Sequence, residues 1–364
     1  IWGEEIKWSE TLKRYFMAAK KVVIDEGNLI VANYRPFTKQ FYYANQILSD
    51  RLTRNHYAMF GKNLDKENLV IMIVNHPQYP DFQVHCTKIL TDAGYSGRAT
   101  PSIPFYTYLA NGERVENITD WGLAVFQNHY VSPLTPEGGI ITSKTPPSGG
   151  GGLRSELCKL DIFHYIYAVL HSPAYRKTYE LDLKREFPRI PLYADFWKYA
   201  EAGEKLMELH LNYESPQKMS SLKKDDIFTP LLERKDIDLE VFKEKMQGKK
   251  KKTDEIEMTS QKRDVISETT FTINPILRIK DDIIFIDELT TLCGVPAQAL
   301  AYKLGNRSAI EWVLDQYKPY KSDDKTIQEH FNTYNFADYK EQVIELLQKV
   351  CWISVETMKM VGEL

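Results

Sequence analysis

Cysteine is sparse. Cys86, Cys158, Cys293 and Cys351 lie far apart and form no CxxC pattern. This excludes a zinc site of ordinary thiolate spacing and a secreted disulfide framework, and it implies a reducing compartment. Long apolar runs are also missing: none approaches the roughly 20 residues that span a bilayer. The opening IWGEEIKWSE has no basic segment followed by an apolar one, so a cytoplasmic protein without a membrane partner is expected. Because the chain opens on Ile1, in residues that already read as amphipathic, it is expected to be cut from a longer polypeptide. Nor is there an excess of one charge. The 364 residues carry 47 basic and 50 acidic side chains, a formal −3, and this balance taken alone argues against a DNA-binding coat.

Catalytic signatures are absent as well. The chain contains no HExxH, GxSxG, strand-following GxGxxG or Walker motif. An amino-methyltransferase needs a polar-Pro-Pro-aromatic turn to hold a flipped base, and the nearest stretch, Ile273-Asn274-Pro275-Ile276, lacks the second proline and the aromatic. His85 beside Cys86, and His164 with His171, fit no metal spacing and read as structural histidines. The paired carboxylates Asp281-Asp282 and Asp323-Asp324 read as solvated charges or helix caps. No catalytic, cofactor-binding or metal-binding residue is therefore assigned.

What is present is a globular composition, 43% apolar and 27% charged, long enough for two or three domains. Strand-like runs of β-branched and aromatic residues occur at 22–25, 29–34, 41–43, 69–75, 82–90 and 103–109. Turns are expected at Glu26-Gly27-Asn28 and Ala110-Asn111-Gly112, and a helix over 118–130 with Thr119 as its cap. The Pro-, Gly- and Ser-rich stretch that follows reads as a linker or mobile loop. Residues 156–212 have helical periodicity: Leu160, Phe163, Tyr167 and Leu170 make one stripe, Pro173 marks a first turn, and Phe196, Tyr199, Leu206 and Leu209 make another. A charged tract of 13 basic and 10 acidic residues over 218–263 reads as a mobile insertion. Strands return at 270–277 and 282–287. Helices are expected from Pro296, from Arg307 and over 339–360, the last with a stripe of Val343, Leu346, Leu347, Val350 and Ile353.

The fold class is thus mixed α/β (α+β). The expected parts are a sheet-containing part at 1–131, a linker at 132–155, a helical unit at 156–217, the charged insertion at 218–263, and strands and helices at 264–364 that complete the domain.

Charge is unevenly placed. Residues 1–62 hold 10 basic and 6 acidic side chains, whereas 281–364 hold 8 and 14. The segment NYRPFTKQFYYANQILSDRLTRNHYAMFGK interleaves Arg35, Lys39, Arg51, Arg54 and Lys62 with Tyr34, Phe37, Tyr42, Tyr43 and Tyr57. Cations between aromatics suit phosphate contact and base reading; a salt-bridged surface is the plain alternative.

Five stretches carry a family resemblance: YRPFTKQFYY at 34–43, IPFYTYLANGERVENITDWGLAVFQNHY at 103–130, DIFHYIYAVLHSPAYRKTYELDLKREFPRIP at 161–191, YKLGNRSAIEWVLDQY at 302–317 and ISVETMKMV at 353–361. In this order they resemble the C-terminal specificity region of type ISP restriction-modification enzymes; 218–263 lies outside the likeness. The resemblance implies a target recognition domain for double-stranded DNA, docked on the methyltransferase domain of the same polypeptide. In such enzymes a nuclease, an ATP-driven motor and an adenine N6-methyltransferase occupy the rest of the chain. S-adenosylmethionine, ATP and Mg are accordingly implied for the full polypeptide and none for this part. Arg35, Lys39, Arg51 and Arg54, with Lys62, are the first DNA-contact candidates. Asn306, Arg307 and Ser308, after Gly305 in a helix-opening turn, are the second, with helix capping as the alternative. Two other readings stay open: a fragment that completes a methyltransferase or nuclease site, and a coupling module whose main surface meets protein.

Overall fold

A computed structural model describes residues 8–50, 52–130, 156–215, 233–236, 275–320, 328–329 and 333–364. The expected linker at 132–155 and most of the 218–263 insertion lie outside these residues, except that Glu156 precedes the following helix and 233–236 form a strand.

After a short helix α1 (Glu10–Met17), a hairpin of β1 (Leu29–Arg35) and β2 (Thr38–Tyr43) leads to helix α2 (Arg54–Phe60). A three-stranded sheet follows, in the order β4-β3-β5, with β3 at Val70–Val74, β4 at Gln83–Thr87 and β5 at Ser102–Pro104. Strands β6 (Tyr106–Tyr108) and β7 (Arg114–Glu116) make the expected Asn111-Gly112 hairpin. Helix α3 (Asp120–Tyr130) starts where Thr119 Oγ1 accepts the Gly122 amide at 3.1 Å. The connections between these strands are short, so the pairings are antiparallel and the sheet material is divided among small sheets.

Run 22–25 forms no strand. Val23 and Ile24 are exposed, and Asp25 caps a single turn by accepting the Gly27 amide at 2.9 Å. Conversely, the charged segment Glu233–Asp236 is strand β8, an edge strand of the C-terminal sheet β8-β11-β10-β9, so this part of the expected insertion is ordered into the fold. The other members of that sheet are β9 (Pro275–Lys280), β10 (Ile283–Asp287) and β11 (Thr290–Cys293).

The helical unit consists of α4 (Lys159–His171), α5 (Pro173–Thr178, with Pro173 at its first turn), α6 (Glu180–Leu183) and α7 (Phe196–Leu211). Helices α4 and α7 touch at the backbone. A Cβ placed on Gly203 would lie 1.8 Å from the His164 carbonyl oxygen, so only glycine permits this approach. The C-terminal part continues with α8 (Ala297–Ala301), a small hairpin of β12 (Lys303–Leu304) and β13 (Arg307–Ser308), α9 (Ala309–Gln316) and the long α10 (Lys340–Gly362).

Strand β3 explains how these parts hold together. All five of its side chains are buried, as its unbroken apolar run requires. Ile71 and Ile73 join a core with α4 and α7, and Val70 and Met72 join Ala32, Phe60 and Tyr95 under the first hairpin. Val74 joins the C-terminal core around Ile284, Trp312 and Leu347.

Candidate nucleic-acid interface

The first hairpin turns at Arg35-Pro36-Phe37-Thr38. Phe37 takes a left-handed φ of 59°, an uncommon conformation for a bulky residue, and its buried ring meets Tyr213 edge-on at 5.2 Å. The aromatic ring is thus a core anchor that sets the tip, with candidate cations on both sides. The Arg35 guanidinium stacks on Tyr34 at 4.0 Å and its Nη1 reaches Asp92 Oδ1 at 2.6 Å. Lys39 Nζ lies 2.6 Å from Glu214 and over the Tyr213 ring. Both cations are therefore neutralised by carboxylates of other segments. Arg54, first residue of α2, and Lys62, beyond its end, are exposed and have no ion-pair partner among the described residues. Arg51 lies outside the described residues.

The second group of candidates divides. Gly305 and Asn306 form the two-residue turn of the β12–β13 hairpin, not the opening of a helix. Gly305 has φ +71° and sits against the Tyr79 ring and the Ser96 carbonyl. Gln83 clamps it: the Gly305 amide donates to Oε1 at 2.5 Å, and Gln83 Nε2 donates to the Gly305 carbonyl at 3.4 Å. Asn306 is exposed at the tip. Arg307 pairs with Asp315 at 2.7 Å and lies over Trp312. Ser308 is corrected as a contact residue. It is 1% exposed, and its hydroxyl accepts the Glu311 amide while Glu311 Oε2 accepts the Ser308 amide at 2.7 Å, a reciprocal cap on α9. The helix-terminus argument for phosphate consequently does not extend to Asn306 and Arg307, which precede that cap.

Two loops that carried no signal in the sequence complete this surface. One, 75–82, turns tightly, with the Tyr79 amide donating to the His76 carbonyl at 2.8 Å. The other, 92–98, is wound on Asp92, whose Oδ1 accepts both Arg35 and the Gly94 amide. Tyr79 ties them together by donating its hydroxyl proton to the Ser96 carbonyl at 2.7 Å. Gly305 packs on the same Tyr79 and Ser96. The hairpin tip at 35, both loops and the tip at 306 are therefore fixed to one another, and Gln78, Arg98, Asn306 and Arg307 are presented on them. A groove of about 310 Å³ lined by Tyr34, Gln40, His56 and Asp92 joins this surface to the start of α2. Gly- and Pro-rich segments between strands, holding an Arg and an amide, are the only trace of these loops in the sequence.

His85, His171 and His210 lie elsewhere, in a buried polar seam. His210 is held between the Tyr167 hydroxyl at 2.6 Å and Thr357 Oγ1 at 2.9 Å, His85 meets the Tyr302 hydroxyl at 3.1 Å, and His171 Nδ1 meets the Tyr167 carbonyl at 2.8 Å. Burial pushes His85 down to about 3 and holds His171 and His210 well below the usual imidazole range. They are neutral groups that join β4, α4, α7 and α10. No group of three His, Cys, Asp or Glu side chains able to hold a metal occurs among the described residues, and no described helix is long and apolar enough to cross a membrane.

Comparison with curated proteins gives no match. Among solved structures, the whole chain is similar to 31% of a chain in the cryo-EM structure of a DrdV–DNA complex, with 34% identity and a TM-score of 0.77. A nuclease-deletion mutant of the Type ISP restriction-modification enzyme LlaGI, in complex with a DNA substrate mimic, is similar over 98% of this chain and 26% of its own, with 26% identity and a TM-score of 0.65. The ATP-dependent Type ISP restriction-modification enzyme LlaBIII bound to DNA shares the fold over 99% of this chain and 20% of its own, at 22% identity and a TM-score of 0.70. The chain thus spans less than a third of each of these proteins. Residues 2–346 match the Type ISP C-terminal specificity domain, and the chain belongs to that family.

Proposed function

We propose that the chain recognises a specific sequence in double-stranded DNA for a single-polypeptide restriction-modification enzyme, directing an adenine N6-methyltransferase and an ATP-driven nuclease carried elsewhere in that polypeptide. The observation that carries this reading is the convergence of four segments, anchored on Asp92, Tyr79 and Ser96, that present arginine and amide side chains together on one surface. Such groups are suited to base edges, while isolated exposed cations such as Arg54 and Lys62 suit phosphates, which set register without reading sequence. Fixed loops limit the ordering cost of binding. S-adenosylmethionine, ATP and Mg act outside this chain, and the methyltransferase domain is its neighbour, into which the target adenine is turned out of the duplex. The chain itself supplies no catalytic group.

Gel-shift competition with the full polypeptide tests the reading. Target-containing duplex should compete at least ~1,000-fold better than random duplex at physiological salt, the low end for specific binding. Equal competition by all duplexes would refute it. Preserved specificity after combined substitution of Arg98, Asn306 and Arg307 by alanine would remove this surface from the role.

A further inference from the structure

Arg98 and Gln78 stand out among the presented groups. They come from different loops, both are exposed, and Arg98 Nη2 donates to Gln78 Oε1 at 2.7 Å. Arg35, Lys39 and Arg307 each meet a carboxylate, whereas Arg98 is oriented by a neutral amide and has no ion-pair partner among the described residues. Its charge is left uncancelled. Among the described residues Nη1, Nε and one Nη2 proton have no partner, and neither does the Gln78 amino group.

The platform under the pair is rigid. Thr100 Oγ1 donates to the Arg98 carbonyl at 3.0 Å and lies 3.1 Å from Ser96 Oγ. Gly97 takes the left-handed φ of +87°, where a Cβ would just touch the Trp312 ring at 3.5 Å, and its amide donates to the Gly94 carbonyl at 2.7 Å. On the other loop, the Gln78 amide donates to His76 Nδ1 at 3.2 Å. The loop backbone is thus pinned, and the bond to Gln78 gives the Arg98 side chain a direction before any partner arrives.

A phosphate can be met by any mobile cation. A planar fork held at one edge by a side-chain acceptor instead suits a partner with two acceptors side by side, and in the major groove that pattern is the N7 and O6 of guanine. We infer that Arg98, aimed by Gln78 as a positioning residue, reads one guanine of the target sequence. This inference rests on the DNA-recognition reading above and adds the base and the residue that reads it.

The test uses the full polypeptide with Arg98→Ala, Arg98→Lys and Gln78→Ala. Competition gel shifts use duplexes changed at one base pair at a time, and methylation is mapped on host DNA. The wild type should prefer G·C at one position by roughly 10- to 100-fold. Both Arg98 variants should lose that preference at that position alone, keeping it elsewhere, and the methylated motif should degenerate there. Gln78→Ala should narrow the same preference without changing the salt dependence of binding. Unchanged thermal unfolding would confirm that the exposed substitutions leave the fold intact. Uniform weakening on every duplex, with a salt slope reduced by about 1, would make Arg98 a phosphate contact and overturn the inference while leaving DNA recognition standing. An unchanged motif in all three variants would overturn it too. A wild type that prefers no duplex would overturn both readings together.

Discussion

Gly203→Ala puts intrinsic preference and packing in opposition. In an isolated helix the substitution should stabilise by about 1 kcal/mol, because alanine loses less backbone entropy than glycine. Here the added Cβ would stand 1.8 Å from the His164 carbonyl oxygen, where real contacts stop near 3.0 Å, so α4 and α7 must part by roughly 1.2 Å. A gap of about 0.5 to 1 Å already forfeits a quarter to a half of the attraction across a seam, so a quarter is the least that this one costs. The seam holds Phe196, Leu206 and Met207 from α7 and Phe163, Tyr167 and Leu170 from α4, all buried. At about 2 kcal/mol for each side chain, losing a quarter costs about 3 kcal/mol. The net expectation is destabilisation by at least about 2 kcal/mol, read as a lower urea midpoint at unchanged slope. The consequence should extend to the recognition surface, since α7 leads directly into Tyr213 and Glu214, which hold Phe37 and Lys39. A variant as stable as the parent, or more stable, would refute the helix–helix contact as described.

Three other outcomes are expected. Lys340→Met should cost about 3 to 5 kcal/mol in urea unfolding, because Asp287 is 1% exposed and Lys340 Nζ, at 2.7 Å, is its counter-ion; adding Asp287→Asn should recover part of the loss. Acid should unfold the protein from the histidine seam: His85, His171 and His210 have folded pKa values depressed by burial, so the unfolded chain binds more protons. Their contribution is complete above roughly pH 6.5 and falls as pH drops towards the folded value of about 3 for His85, at up to about 1.4 kcal/mol per pH unit for each; unfolding midpoints that do not fall between pH 7 and 5 would contradict this. Gly305→Ala should destabilise by about 1 to 2 kcal/mol through its left-handed conformation, and should weaken duplex discrimination by displacing Asn306, both measured on the same preparation.

The parts that were legible in the sequence are those in which a side chain's neighbours are set by its own segment. The run at 70–74 reads as a strand because all its residues are apolar, and the stripe through Val343, Leu347 and Val350 reads as a helix because its period is helical. Where the partner is distant, residue type misleads. Val23 and Ile24 have the chemistry of a strand but no strand among the described residues pairs with them, and Glu233–Asp236 has the chemistry of a loop but pairs through its backbone with β11. Arg35 and Lys39 read correctly as cations between aromatics, yet their neutralising carboxylates lie 57 and 175 positions away. Ser308 has the residue type of a cap and of a contact alike; only its burial decides. The loops of Gln78 and Arg98 have no period at all, so nothing short of the fold brings them together.

Strand β3 has a mechanical consequence for the whole chain. One five-residue segment is the wall of all three cores, so none of them can close without it. Cutting the chain anywhere between 131 and 155 would therefore not release two separate bodies. The halves should remain associated after the cut and should come apart and unfold in a single step. Co-expressed as two pieces, they should each require the other to become soluble.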